Sequence, residues 1–194
     1  MVAIVKYNAG NVQSVRFALE RLGVEALWTD DPVALQSATK VIFPGVGEAS
    51  SAMRYLRAKG LDQTLLGLKQ PVLGICLGLQ LFCRHSEEND TDCLGIFDVN
   101  VYKFPAAPLL KVPHMGWNTL HDLKGPLFEG LEAGDYAYFV HSYCADLSPH
   151  TAAECNYGVP FSAALQRDNF YAVQFHPEKS GEIGSRILKN FLNL

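Results

Sequence analysis

Pro71-Val72-Leu73-Gly74-Ile75-Cys76-Leu77-Gly78-Leu79-Gln80 reads as a buried strand that turns directly into a helix, with one reactive side chain at the bend. The run is apolar and of strand length, broken at Gly74 and Gly78, and Leu79, Leu81 and Phe82 suit the helix that follows. A cysteine between two glycines at such a bend has the pattern of a nucleophile elbow, where backbone passes close to the reactive atom and only small flanks allow it. The helix would aim its N-terminus at the sulfur, favouring thiolate over thiol and drawing the pKa below the free value of about 8.5. The competing reading of Cys76 is a buried small hydrophobe. The paired glycines argue against it.

The segments before the elbow suit a parallel sheet. Val2 to Val5 is a first strand, and Asn11 is an N-cap candidate for a helix carrying Val12, Val15, Leu19 and Leu22, closed by Gly23. Glu25 to Trp28 and Val41-Ile42-Phe43 are further strands, Pro32 opens a short helix, and Met53, Leu56 and Leu61 belong to helices leading to the elbow. This alternation predicts parallel strands with helices on both faces. The second half reads differently. Phe104 to Pro113 is proline-rich loop, while Ile96 to Phe104, Tyr138 to Tyr143, Thr151 to Cys155, Phe161 to Leu165 and Phe170 to Phe175 are strand-like. Asp168-Asn169 suits a hairpin turn, and Ile183, Ile187, Leu188 and Phe191 mark a last amphipathic helix.

Composition narrows the class. A chain of 194 residues, 48% hydrophobic and 19% charged, has the length and apolar content of one folded domain, here 1–194. A net charge of -4 without a Lys/Arg cluster offers no electrostatic footprint for nucleic acid. Five cysteines without a Cys-x-x-Cys pair disfavour disulfides and zinc and favour a reducing compartment. No apolar run reaches membrane-spanning length, so a cytoplasmic protein is expected.

A thiolate nucleophile needs a base, and the base an orienting acceptor. Gln174-Phe175-His176-Pro177-Glu178, at the end of the last strand, supplies both: in extended backbone His176 and Glu178 lean to one side, and Pro177 biases His176 toward that geometry. Pro44-Gly45-Val46-Gly47 follows a neighbouring strand, and its free peptide N–H groups at Val46 and Gly47, with that of Leu77, would stabilise an oxyanion. A plain turn is the alternative there. His85, His114, His121 and His150 have no metal spacing and read as surface or loop residues; His141, on an apolar strand, reads equally well as a satisfied core histidine.

Gly74-x-Cys76-x-Gly78-x-Gln80 together with His176-Pro177-Glu178 resembles the class I (triad) glutamine amidotransferases. Pro44 to Gly47, Lys111-Val112-Pro113-His114-Met115-Gly116-Trp117-Asn118 and Tyr138-Phe139-Val140-His141-Ser142-Tyr143 resemble, more narrowly, the glutaminase subunits of imidazole glycerol phosphate synthase. Lys6-Tyr7-Asn8-Ala9 departs from the Asp-Tyr-Gly-like opening of many relatives. The resemblance implies a three-layer, flavodoxin-like α/β fold with a mixed central sheet and helices on both faces. It implies hydrolysis of L-glutamine to glutamate and ammonia, with ammonia passed to a (β/α)₈-barrel cyclase subunit in a heterodimer of histidine biosynthesis, without cofactor or metal.

By the same resemblance Cys76 attacks the amide, His176 moves the proton and Glu178 orients the imidazole. Gly47, Gln80, Glu88, Ser142 and Tyr143 match substrate-holding positions, Gln80 and Glu88 being placed on the helix after the elbow. Glu88, beside Glu87, could instead be a solvated carboxylate. Asn11, Trp117, Tyr138 and Lys179 would face the partner, though Trp117 and Tyr138 also suit ordinary core aromatics. Rival readings are a cysteine peptidase, which often has His directly after the nucleophile where Leu77 stands, the glutaminase of another amidotransferase such as the anthranilate type, and a catalytically silent regulatory subunit.

Overall fold

A computed structural model describes residues 1–8, 12–106 and 110–194. In chain order the elements are β1 (Val2–Val5), α1 (Val12–Arg21), β2 (Ala26–Thr29), α2 (Pro32–Ser37), β3 (Lys40–Gly45), α3 (Ala49–Lys59), α4 (Leu61–Gly67), β4 (Val72–Cys76) and α5 (Leu77–Phe82). There follow β5 (His85–Ser86), β6 (Thr91–Asp92), β7 (Asn100–Lys103), β8 (His114–Thr119), β9 (Tyr136–His141), β10 (Tyr143–Ala145), β11 (Thr151–Asn156), β12 (Pro160–Arg167), β13 (Phe170–Val173) and α6 (Gly181–Asn193).

The main sheet runs β2-β1-β3-β4-β13-β12-β10-β7-β5-β6, with β11 on β12. From β2 to β13 the pairs are parallel; the pairs β13–β12, β12–β10 and β10–β7 are antiparallel. The sheet is therefore mixed. The inner parallel strands β1, β3, β4 and β13 are apolar on both sides because helices cover both faces, whereas edge strand β2 leaves Leu27 and Trp28 exposed. Val5, Val41 and Phe43 pack with Met53, Leu56, Leu65 and Phe82 on one side, whereas Ile4, Ile42 and Leu73 pack with Leu19, Ile187 and Phe191 on the other.

Order 2-1-3-4 places the carboxyl ends of β3, β4 and β13 side by side, the position where open α/β sheets bind ligands. Gly45 is in register with Cys76, and Val173 with Ile75. The last residue of the elbow strand thus lies between the segments that follow β3 and β13.

Gly74 does not break the strand; it lies inside β4. A Cβ there would stand 2.8 Å from the Phe82 ring, so the glycine makes room for α5 to fold back over its own strand. At Gly78 a Cβ would come 2.1 Å from the Phe43 carbonyl oxygen, which is backbone and cannot step aside. Gly78→Ala should therefore destabilise the fold by about 1–3 kcal/mol through overpacking and lower glutamine turnover with it. Thermal denaturation checks this, and an unchanged midpoint would contradict it.

Three strand assignments differ from the sequence reading, the first being Ile96 to Phe104, of which only Asn100–Lys103 is strand. Tyr138 to Tyr143 is not one strand: the chain breaks at Ser142, so that β9 pairs only with β8 in a separate two-stranded ribbon while β10 enters the main sheet. The in–out alternation changes with it: Ala137, Phe139 and His141 are buried along β9, whereas in β10 Tyr143 is half-buried and Cys144 and Ala145 are buried. The last strand stops at Val173, two residues short of Phe175, and His176 then opens the 3₁₀ turn Pro177–Lys179. Asp168, with φ 52°, makes the turn between β12 and β13. The Asn11 cap lies outside the described residues.

Candidate active site

Cys76 has φ 54° and ψ -107°, backbone that a side chain-bearing residue adopts at a cost on the order of 1–3 kcal/mol. The strain follows from ending β4 and starting α5 without a linker. It leaves the sulfur at the mouth of a cavity of about 340 Å³ lined by Val46, Gly47, Leu77, Gln80, Glu88, Ser142, Tyr143, His176 and Lys179, among others. Three segments that are far apart in sequence meet there, those that follow β3, β4 and β13.

His176 and Glu178 form a buried pair, Nδ1 to Oε1 2.8 Å, with side chains 4% and 3% exposed. They meet across the start of the 3₁₀ turn rather than along an extended strand, since His176 is extended (φ -99°, ψ 95°) and Pro177 begins the turn. Burial pulls the His176 imidazole toward the neutral form, but hydrogen bonds to Cys76 and Glu178 and the charge of both groups push it up to about 10. An imidazole held protonated between a sulfur and a carboxylate can deliver a proton to a leaving amine and take one back from water.

The other cavity residues are tied to the frame. Gln80 Nε2 donates to the Tyr143 carbonyl at 2.9 Å and to Gln174 Oε1 at 3.1 Å. Gln174 Nε2 lies 3.7 Å from the Cys76 sulfur, and the Val140 carbonyl oxygen is also 3.7 Å from it. Glu88 is not on the helix after the elbow: α5 ends at Phe82, and Glu88 lies in the turn between β5 and β6. Nor is it a fully solvated carboxylate. It is half-buried, its Oε2 accepts from the Ala49 N–H at the start of α3 at 2.7 Å, and burial raises its pKa against that hydrogen bond. Gly47 has φ +117° and is exposed beside half-buried Val46.

Trp117 and Tyr138 are not core aromatics. They face each other across the β8–β9 ribbon, rings 5.8 Å apart, with Trp117 55% exposed. Met115 and Tyr136, 64% and 58% exposed, share that outer face. Lys179 is exposed at the cavity rim. Asn11 lies outside the described residues.

His114 is likewise not a surface or loop residue: it is 3% exposed, stacked on Tyr157 at 3.9 Å and bonded to His141, which is a satisfied core histidine. Alternation along β8 points His114 inward, a signal visible in sequence only once the ribbon is known. Gln174 was also missed as a site residue, although a polar side chain amid Ala172, Val173 and Phe175 was the signal available. Among the described residues no group of three or more His, Cys, Asp or Glu is placed to hold a metal ion, and no helix is long and apolar enough to cross a membrane.

Comparison with known proteins matches residues 4–194 to the family model "Glutamine amidotransferase class-I". The chain is 60% identical to the imidazole glycerol phosphate synthase subunit HisH of Bacteroides fragilis (strain YCH46), covering 100% of this chain and 99% of that one. It is 49% identical to the same-named subunit of Escherichia coli (strain K12), again over 100% and 99%. In fold it is similar to a solved glutamine amidotransferase (TM-score 0.76, 19% identity, 100% of this chain and 98% of that one). It is also similar to PurLQS from Thermotoga maritima (TM-score 0.73, 18% identity, 99% and 97%). The chain belongs to the class-I glutamine amidotransferase family and, within it, to the family of the HisH subunits of imidazole glycerol phosphate synthase.

Proposed function

We propose that this chain, as one amidotransferase domain over residues 1–194, is the glutaminase subunit of imidazole glycerol phosphate synthase, hydrolysing L-glutamine and passing the ammonia to a cyclase partner in histidine biosynthesis. The observation that carries it is the strained Cys76 sharing one cavity with the His176–Glu178 pair.

The chemistry follows from that geometry. The Cys76 sulfur attacks the side-chain amide carbon of glutamine, and the oxyanion that forms is met by peptide N–H groups of Val46, Gly47 and Leu77. Protonated His176 gives its proton to the departing nitrogen, so ammonia leaves and a γ-glutamyl thioester remains. His176, now neutral, takes a proton from water, whose oxygen displaces the sulfur and yields glutamate. Glu178 holds the imidazole in the tautomer these transfers need.

Gln80, Ser142, Tyr143 and Gly47 hold the substrate. Glu88 meets its α-ammonium through the carboxylate oxygen that Ala49 does not occupy.

The partner docks on the outer face of the ribbon, where Met115, Trp117, Tyr136 and Tyr138 form an exposed apolar platform beside the cavity mouth. Aromatic anchors of this kind dominate interface energetics. Lys179, next to Glu178, would contribute a charge at the rim.

The test is co-purification with the cyclase subunit followed by measured glutamate release. The isolated chain should be slow, and partner with its nucleotide ligand should accelerate it by about 10²–10³, the value of one oxyanion donor brought into place. Lys179→Glu should weaken assembly or uncouple glutamate release from product formation. A complex that releases no glutamate would overturn the assignment, and an untouched Lys179→Glu complex would remove Lys179 from the interface.

A further inference from the structure

Two imidazoles that the mechanism does not use lie at the substrate cavity, His141 in its wall and His114 bonded to it from behind. His114 and His141 are cross-strand partners at the end of the β8–β9 ribbon, 3% and 5% exposed. His141 Nδ1 is 2.8 Å from the Tyr143 carbonyl oxygen. A carbonyl only accepts, so Nδ1 carries the proton and Nε2 of the neutral ring is an acceptor. That Nε2 is 2.9 Å from His114 Nδ1, which must then be the donor.

His114 Nε2, left as an acceptor, lies 3.3 Å from Asn118 Nδ2. The amide of Asn118 is itself oriented, because Nδ2 donates to the Asn156 carbonyl at 2.9 Å while Oδ1 accepts from the Thr119 N–H at 2.8 Å. Every proton in the series therefore points one way, from Asn118 through His114 and His141 to the Tyr143 carbonyl. The same carbonyl accepts from Gln80, so both of its lone pairs are used. Gln80 in turn donates to Gln174, which approaches the Cys76 sulfur.

We infer that His114 and His141 are positioning residues for the glutamine site: a neutral, one-way hydrogen-bond relay that holds the Tyr143 carbonyl, and through it Gln80, where the chain breaks at Ser142. This inference rests on the glutaminase reading of the cavity. The break explains the need for such a relay. Ser142 leaves the ribbon ladder, and its carbonyl accepts from the Phe104 N–H at 3.1 Å. The next carbonyl, that of Tyr143, is held by side chains, His141 reaching two residues on to do it. Stacking of His114 between Tyr157 and Phe139, at 3.9 and 4.9 Å, keeps its ring from turning.

The relay works only while both rings are neutral. A proton on His141 Nε2 would face the His114 N–H, and a proton on His114 Nε2 would face the Asn118 amide hydrogens. The titratable groups facing the pair are the Tyr157 ring on one side and the His176 imidazole on the other. Burial pushes His114 down to about 4. Burial likewise draws His141 down to about 3, opposed by its bond to Tyr143 and aided by His114 and His176. Both folded values lie below the ordinary histidine value of about 6.5. As pH falls below that, the unfolded chain binds protons that the folded chain refuses, so this pair withdraws stability progressively between about pH 6.5 and pH 3.

The experiment uses the complex with the cyclase subunit. Nitrogen-15 NMR of its imidazoles should find the Nδ1–H tautomer on His114 and on His141, with neither ring charged from neutral pH down to about pH 5. His114→Leu keeps apolar volume but removes the donor to His141; it should raise the glutamine KM by roughly 3- to 10-fold with a smaller change in kcat. His114→Asn restores an N–H near the position of Nδ1 and should return KM to within about 2-fold of the parent.

An Nε2–H or charged ring at neutral pH overturns the relay, as do equal KM values in the two variants. If neither variant folds, the tautomers of the parent complex decide. Absence of glutamate release by the parent complex would instead defeat the functional reading, a different result from an active complex whose KM ignores residue 114.

Discussion

Cys76→Ala should abolish product formation from glutamine, by about 10⁴–10⁶-fold, while the same complex supplied with ammonium salt keeps making product. The sulfur is the only atom in the cavity placed to form the thioester, whereas the cyclase chemistry belongs to the partner. The fold should survive, because alanine occupies the φ 54° backbone no worse than cysteine does. The remaining cysteines are poor substitutes. Burial lifts the Cys83 thiol well above its usual range and pushes Cys93, Cys144 and Cys155 up to about 12, so their replacement should leave turnover nearly unchanged. Steady-state assays with each nitrogen source settle the matter. A Cys76→Ala complex that still hydrolyses glutamine, or that stays inert in high ammonium, contradicts the scheme.

His176→Ala should approach the Cys76→Ala loss, on the order of 10³–10⁵-fold, and Glu178→Gln should cost less, on the order of 10–10²-fold. The difference has a geometric reason. Glu178 Oε1 accepts from His176 Nδ1, while the buried Oε2 has no hydrogen-bond partner among the described residues. Nothing therefore forces a replacement amide to turn its NH₂ toward the ring. Glutamine can present its carbonyl oxygen to Nδ1 and preserve the tautomer, though without the charge.

Loss of that charge should show in the pH profile. The His176 value of about 10 depends partly on Glu178, so the alkaline limb of kcat should move to lower pH in Glu178→Gln. Stability follows the same sign: a raised histidine pKa stabilises fully below its unfolded value of about 6.5 and loses that contribution as pH rises toward 10. The variant should therefore lose more stability at pH 6 than at pH 10. Equal and small kinetic losses at the two positions would make His176-Pro177-Glu178 a structural turn.

Much of this was legible in the sequence because it is local. β1, β3 and β4 are apolar at every or nearly every position, which in a half of alternating strands and helices signals burial on both faces. The elbow residues Gly74 to Gln80 and the pair His176 and Glu178 each act within a few residues of one another. Backbone geometry over such a span is set by glycine, proline and the helix start.

What only the tertiary structure decided concerns groups that meet across large separations. Glu88 reads in sequence either as a substrate-holding residue on the helix after the elbow or as a solvated carboxylate beside Glu87, and the fold instead seats it, half-buried, against the N-terminus of α3. His114 reads as a loop residue, yet pairing of β8 with β9 buries it against His141, 27 positions away. Ser142 sits inside one strand-like run of sequence, and the break there exists because β9 pairs with β8 while β10 is claimed by β7 and β12. Sequence specifies which side chains can donate, accept or pack; which partner each one finds depends on strand order and register, and these emerge only when the whole sheet competes for the same hydrogen-bonding edges.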